Sequence, residues 1–302
     1  MAQPAAAGRT PAWESAIVAR RYYLEGRQKN EIADEFGISR FRVARILDDA
    51  LASGIVRIHV ALPEGIDVEL GDALAARFGI RRTVVAIAQD GVDVVDVLGA
   101  AGARVLASRI TKDDVLGISW GATLTAVVDA IDSIAAAEVV QLVGGVASAG
   151  LEVNGVELLR RLALRTGAPV WPLHAPFLVG SVATAQQLRR DPSLAPTIER
   201  FSAVTVAVLG IGSLVTGRSA LWAALDDDAR AELTAQGAVA DLGGCGVRGR
   251  FIAVDAGRLR GVEGVIAVAG GEEKVEAIAA ALRSGLVSTL VTDSTTARAL
   301  LA

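Results

Sequence analysis

The chain has 302 residues, 52% of them hydrophobic but only 4% aromatic, with a formal net charge of −4. That length excludes a single small domain, and the composition requires a core of Ala, Val, Leu and Ile, as in α/β folds with buried strands and Ala-rich helices. A single cysteine excludes an intramolecular disulfide, no apolar run reaches the ~18–20 residues of a membrane span, and the lack of a secretory pattern leads us to expect a reducing cytoplasm.

Residues 1–11, rich in Ala and Pro, read as a disordered tail. A first helix is expected over 12–25 and a second over 29–36, stopped by Gly37. Ser39 is placed to cap a third helix, on which Val43, Ile46, Leu47 and Ala50 fall at core-facing spacings. Arg40, Phe41, Arg42 and Arg45 fall outside that stripe and are expected to point outward. Two helices joined by a Gly-containing turn, the second presenting arginines near its start, form a helix-turn-helix suited to a major groove. Arginine there donates to guanine O6 and N7 or to phosphate. The plainer reading is a helical hairpin with a solvated charged face. Charge is uneven: residues 1–60 hold eight Arg and one Lys against seven Asp and Glu, or +2, which leaves −6 for the rest. A weakly basic head on an acidic body fits a DNA reader whose larger part binds something else. Gly54–Val60 reads as a short strand beside the helix-turn-helix, as in winged forms, and Pro63-Glu64-Gly65 breaks the pattern. The expected domains are therefore 12–60 for DNA and 61–302 for an effector.

In the body, β-branched runs at 83–88, 115–119, 139–143, 169–173, 204–209, 250–254, 265–269 and 287–292 alternate with helical stretches at 67–78, 92–110, 121–134, 155–166, 219–224, 228–236 and 272–284. The alternation predicts an α/β domain with a mostly parallel sheet covered by helices. Ligands of such sheets sit beyond the carboxyl ends of the strands. One run ends in Ser119-Trp120-Gly121-Ala122-Thr123-Leu124-Thr125, where glycine permits close approach, helix N–H groups favour an anion, and Ser119, Thr123 and Thr125 add hydroxyls. A tight turn with Trp120 in the core explains the same residues equally well. Another run ends in Gly270-Gly271-Glu272-Glu273-Lys274. A lysine in a first helical turn opposes the macrodipole unless an anion intervenes, or unless the neighbouring glutamates balance it at the surface. Lys274 is one of three lysines against 27 arginines, and two such turns in one sheet favour an anion pocket.

Gln141 and Asp241 are candidates for sugar hydroxyls, though such a residue alone is more often structural, as a satisfied core amide is, while Asp241 and Arg250 flank a glycine-rich segment containing Cys245. Neither that lone cysteine nor His59 and His174, the only histidines, supplies a metal set or a His pair for catalysis in the body. We expect no cofactor, no metal and no catalytic residue.

Taken together, Glu31-Ile-Ala through Arg45-Ile-Leu, Gly54-Ile-Val, Gly117-Ile-Ser-Trp-Gly, Val140-Gln-Leu-Val-Gly-Gly, Leu173-His-Ala-Pro, Leu209-Gly-Ile-Gly, Gly237-Ala-Val-Ala-Asp, Val268-Ala-Gly-Gly-Glu-Glu-Lys and Val291-Thr-Asp resemble, in order and spacing, the SorC family of sugar-responsive regulators. The resemblance implies an effector domain related to phosphosugar isomerases and CoA transferases, a phosphorylated sugar or derivative as ligand, and a dimer or tetramer on operator DNA. By position it implies that Ser119–Thr125 hold the ligand, Asp241 meets hydroxyls and Lys274 meets phosphate. The chain departs from the family at Gly243–Gly249, which puts Arg248, Arg250 and Cys245 in new surroundings, and at Phe41 and Ala44, where small polar residues or proline are frequent. A rival reading, a phosphosugar isomerase or deaminase fused to a DNA-binding head, would need a tuned general base, for which Asp241 is the candidate.

Overall fold

A computed structural model describes residues 10–59, 65–87, 91–146, 155–216, 219–235, 238–242 and 249–302. The chain divides into two compact units, Met1–Leu62 and Pro63–Ala302. The tail up to residue 9, most of the Pro63-Glu64-Gly65 boundary and the segment 243–248 lie outside the described residues.

Among its described residues the first unit holds three helices: α1 (Ala12–Tyr23), α2 (Lys29–Phe36) and α3 (Arg40–Ala52). The Gln28 backbone N–H donates to the Glu31 carboxylate at 2.9 Å, half of a reciprocal capping box that starts α2. Gly37 ends α2 in the left-handed region at φ 61°, which a side chain resists. The Ser39 hydroxyl then accepts from the Arg42 N–H at 3.2 Å and starts α3. Val18, Ala19, Ile32, Ala33, Val43, Ile46, Leu47 and Ala50 form the buried core. The expected wing strand is corrected: residues 54–59 form no strand. The Val56 N–H instead bonds to the Ala50 carbonyl, folding the segment back on α3. With no second strand among the described residues of this unit to pair against, an isolated run cannot satisfy a ladder.

The second unit runs α4 (Val68–Phe78), β1 (Arg82–Ala86), α5 (Val94–Arg109), β2 (Val115–Ile118), α6 (Ala122–Asp129), β3 (Glu138–Gln141), α7 (Gly155–Thr166), β4 (Val170–Trp171), α8 (Val182–Arg189), α9 (Ala195–Arg200), β5 (Val206–Ser213), α10 (Ala220–Ala224), α11 (Asp227–Ala235), β6 (Ala240–Leu242), α12 (Ala256–Arg260), β7 (Gly264–Val268), α13 (Val275–Arg283), β8 (Thr289–Asp293) and α14 (Ser294–Leu301). The sheet order is β1-β8-β7-β5-β2-β3-β4, and every neighbour on that path is parallel. Two apolar layers cover its faces, one around Leu142, Leu209 and Ile278, the other around Leu106, Ile118 and Val127.

Three expectations differ. β6 is an added antiparallel strand on the far end of β5, with Gly212 opposite Asp241. Residues 250–254 make only isolated bridges, running extended between 142–144 and 177–179. Helices α8, α9, α12 and α14, each of five to eight residues, stand where no helix was expected. At the edge of β1, the Asp67 N–H bonds to the Val85 carbonyl and the Ile87 N–H to the Gly65 carbonyl, at 2.8 and 2.9 Å, so the first residues of the unit lie along that strand's outer side.

Candidate functional sites

In the helical unit, Arg21 and Arg27 are spent on Glu35, and Arg21 also on Glu25, tying α1 to α2. Arg40, Arg42 and Arg45 on α3 are exposed, and among the described residues none makes an ion pair. Phe41 is 72% exposed, with the Arg40 guanidinium 4.9 Å from its ring centroid. A concave surface of about 340 Å³ is lined by Gln28, Lys29 and Asn30 of the α2 start together with Arg40, Phe41 and Ala44. The unit thus presents unpaired cations on a capped, rigid helix, the arrangement a polyanionic groove requires.

In the sheet unit, the order β7-β5-β2 places the two glycine turns on either side of β5, about 10 Å apart at two strand spacings. Between them lies Gly210, where an added Cβ would meet open space. Its N–H reaches the buried Ser119 hydroxyl at 3.4 Å. The β2–α6 turn leaves Gly121 at φ 144°, and no side chain caps α6. Ala122 is exposed and Thr123 buried beside it. The Thr125 hydroxyl donates back to the Gly121 carbonyl at 3.2 Å, stiffening the first turn. Trp120 is half-buried, its indole N–H donating to the Gly144 carbonyl at 2.9 Å and its ring edge-on to Phe177. Trp120 is thus packed as the tight-turn reading expects, while Gly121 and Ala122 stay open beside it.

The β7–α13 turn is built otherwise. The Asp293 carboxylate accepts from the Gly271 N–H at 3.1 Å and from the Thr296 hydroxyl and N–H at 2.6 and 2.9 Å, and the Thr296 hydroxyl also accepts from Gly271 at 2.8 Å. A Cβ on Gly270 would overlap that carboxylate. A 3-10 turn, Glu272–Lys274, then leads into α13. Lys274 is half-buried and makes no ion pair among the described residues. Burial pushes its ammonium below the usual lysine range, and nearby Glu273 offsets only part of that.

Asp241 stands two residues beyond Gly210 along β5, beside Gly212, with the Ser219 hydroxyl 3.4 Å from its carboxylate. Two expected residues are used structurally. Gln141 is 1% exposed, its amide donating to the Val143 carbonyl at 2.8 Å and accepting from the Leu173 N–H at 3.2 Å. Arg250 lies 3.9 Å from Asp226, at the head of the extended 250–254 segment. Sequence reading gave Asp293 and Thr296 no part in the site. The cap pattern Asp293-Ser294-Thr295-Thr296 was visible, but its reach back to Gly271 was not.

Residues 65–302 match the Sugar-bind family model, described as a sugar-binding domain. The chain is similar to the transcriptional regulator LsrR of Enterobacter sp. (strain 638), with 29% identity over 95% of this chain and 92% of that one. It is also similar to the erythritol catabolism regulatory protein EryD of Brucella abortus (strain 2308), with 27% identity over 93% of each chain. The crystal structure of the full-length sorbitol operon regulator SorC from Klebsiella pneumoniae superposes with a TM-score of 0.73 at 23% identity, over 98% of this chain and 100% of that one, a likeness of fold.

Proposed function

The chain belongs to the SorC family of sugar-binding transcriptional regulators, and from that premise we propose how it works: the helical unit reads operator DNA in the cytoplasm, and the sheet unit answers to a phosphorylated sugar or derivative. The observation that carries the effector class is Lys274, a half-buried ammonium without an ion pair among the described residues, across Gly210 from the uncapped start of α6. A buried cation is costly unless an anion arrives to pair with it. The first-turn N–H groups of α6 offer the complementary partial positive charge. A phosphate between these walls leaves the sugar over Gly210, toward the Asp241 carboxylate, an acceptor for hydroxyls. Ser119, Gly121, Ala122, Thr123 and Thr125 form one wall, and Gly270, Gly271 and Lys274 the other. Gln141 braces the floor from below, and Arg250 stands at the margin.

Regulation follows by population shift: an effector that prefers one arrangement of the body changes how paired heads fit operator half-sites. One head with a net charge of +2 covers too little DNA alone, since single modules bury only about 600–1,000 Å², so the acting species is a homo-oligomer. A thermal-shift series tests the effector class. A sugar phosphate at ~100 times its Kd raises stability by ~2.7 kcal/mol, whereas its dephosphorylated form at equal concentration raises it far less. Equal shifts from both forms would remove phosphate from the reading.

A further inference from the structure

Phe41 is spare material by every measure of the helical unit's own stability. The core of that unit is closed by eight buried residues on three helices, and Phe41 is not among them. It is 72% exposed on the second residue of α3, immediately after the Ser39 cap. Leaving so large an apolar ring in water gives the fold nothing. Its surroundings are specific. Ala44, three residues on, lies on the same side of the helix and lines the same concave surface, while Arg45, four residues on, is exposed beside them. The Arg40 guanidinium sits 4.9 Å from the ring centroid, and Arg40, Arg42 and Arg45 have no ion pair among the described residues. An apolar spot ringed by unpaired cations matches a surface that is anionic overall yet carries apolar points. The DNA major groove is such a surface, and its apolar points are the C5-methyl groups of thymine, met by Phe and Ala side chains.

We propose that Phe41, with Ala44 behind it, is a specificity-determining pair that selects thymine by its C5-methyl group, while the adjacent arginines supply phosphate and guanine contacts. This deepens the DNA-binding reading above and rests on it. It assigns sequence choice at one base pair of each half-site to dispersion and desolvation rather than to hydrogen bonds. The contact is local, so it is blind to every change except loss of the methyl or of the ring.

The test uses the full chain and a duplex selected by it from a random pool. Each thymine is replaced in turn by deoxyuridine, which removes one methyl group and no hydrogen-bonding atom. At one thymine per half-site, affinity should fall about fourfold, the ~0.8 kcal/mol of one buried carbon converted at ~1.4 kcal/mol per tenfold. Phe41→Ala should bind the unmodified duplex more weakly and lose the penalty at that position alone. Phe41→Leu, which keeps an apolar tip, should retain part of it. Circular dichroism melting of both variants should match the parent, because the ring is outside the core. If parent and Phe41→Ala show the same deoxyuridine penalties at every thymine, the assignment is overturned. If Phe41→Ala instead lowers the oligomeric state without DNA, the ring belongs to a protein interface and the assignment is equally overturned. Failure of the pool to enrich any sequence removes the DNA-binding reading itself, an outcome distinct from both.

Discussion

The β2–α6 and β7–α13 turns look alike in sequence, each an apolar run ending in glycine before a helix, yet they are held open by opposite means. In the first, the turn supplies backbone: Gly121 is extended into the left-handed half of the map, and α6 begins without a side-chain cap. In the second, the backbone donor is already taken, because the Gly271 N–H is bound by Asp293 and Thr296. What that turn offers is a side chain, Lys274, carried on a 3-10 turn before α13. An anion site assembled from one wall of each kind gains both dipole and full charge. The comparison teaches that a glycine after a parallel strand does not announce a free amide; a carboxylate 22 residues downstream decides it.

Breaking the second turn should give the largest effect. Asp293→Ala removes the α14 cap, worth ~1 kcal/mol, and a charged hydrogen bond to Gly271, worth ~1.5–3 kcal/mol. Urea denaturation should show a loss of roughly 2.5–4 kcal/mol at unchanged m-value, and parent-like stability would mean that the carboxylate does not hold the turn. Next comes the charge that this turn carries. Lys274→Ala should weaken binding of the best sugar phosphate roughly 10- to 150-fold, ~1.5–3 kcal/mol, and leave operator binding in the absence of effector intact. Retained preference for the phosphorylated form, measured by calorimetry, would move the phosphate elsewhere. The first turn should be more tolerant. Trp120→Phe keeps the ring against Phe177 but deletes the donor to the Gly144 carbonyl, so ~0.5–1.5 kcal/mol of stability should be lost with a smaller change in effector affinity. The same charge can be removed by pH instead of mutation. Burial lowers the Lys274 pKa, the anion binds the protonated form, and the lysine's contribution to affinity is therefore present below the folded-state pKa and lost above it. The decline should begin at lower pH than for an ordinary lysine, and Lys274→Arg, charged throughout, should flatten it; a flat profile in the parent would contradict the role.

Local signals were legible wherever one residue settles one boundary. Ser39 caps α3 and Gly37 ends α2 because each acts within a single turn of chain. The parallel strands were legible because a strand buried on both faces reads as an unbroken apolar run, such as Val265–Val268. Non-local facts were not. β6 is three residues long and exists only because β5 extends past its parallel neighbours. Phe251 sits extended because Phe177, far off in sequence, packs against it at 5.0 Å. The amide of Gln141 reads equally as a hydroxyl ligand or as a satisfied core amide, because the two backbone groups bonded to it come from beyond its own strand end and from Leu173. The segment 54–59 had the composition of a strand but no partner strand among the described residues of its own unit.

The bonds that lay Gly65–Asp67 along β1 also fix where the described chain enters the sheet unit. They meet β1 at its carboxyl end, opposite Val85, Ala86 and Ile87, the same end of the sheet from which both glycine turns rise. β1 is joined to β7 through β8 alone, and Ile66 lies one strand position outside β1, so that point and the lysine wall are separated by three strand spacings, about 14 Å of continuous hydrogen-bonded backbone. Among the described residues two backbone bonds hold that point, each worth ~0.5–1.5 kcal/mol net. Peeling the three residues free would add about 10 Å of slack at ~3.3 Å per residue to the chain ahead of α4.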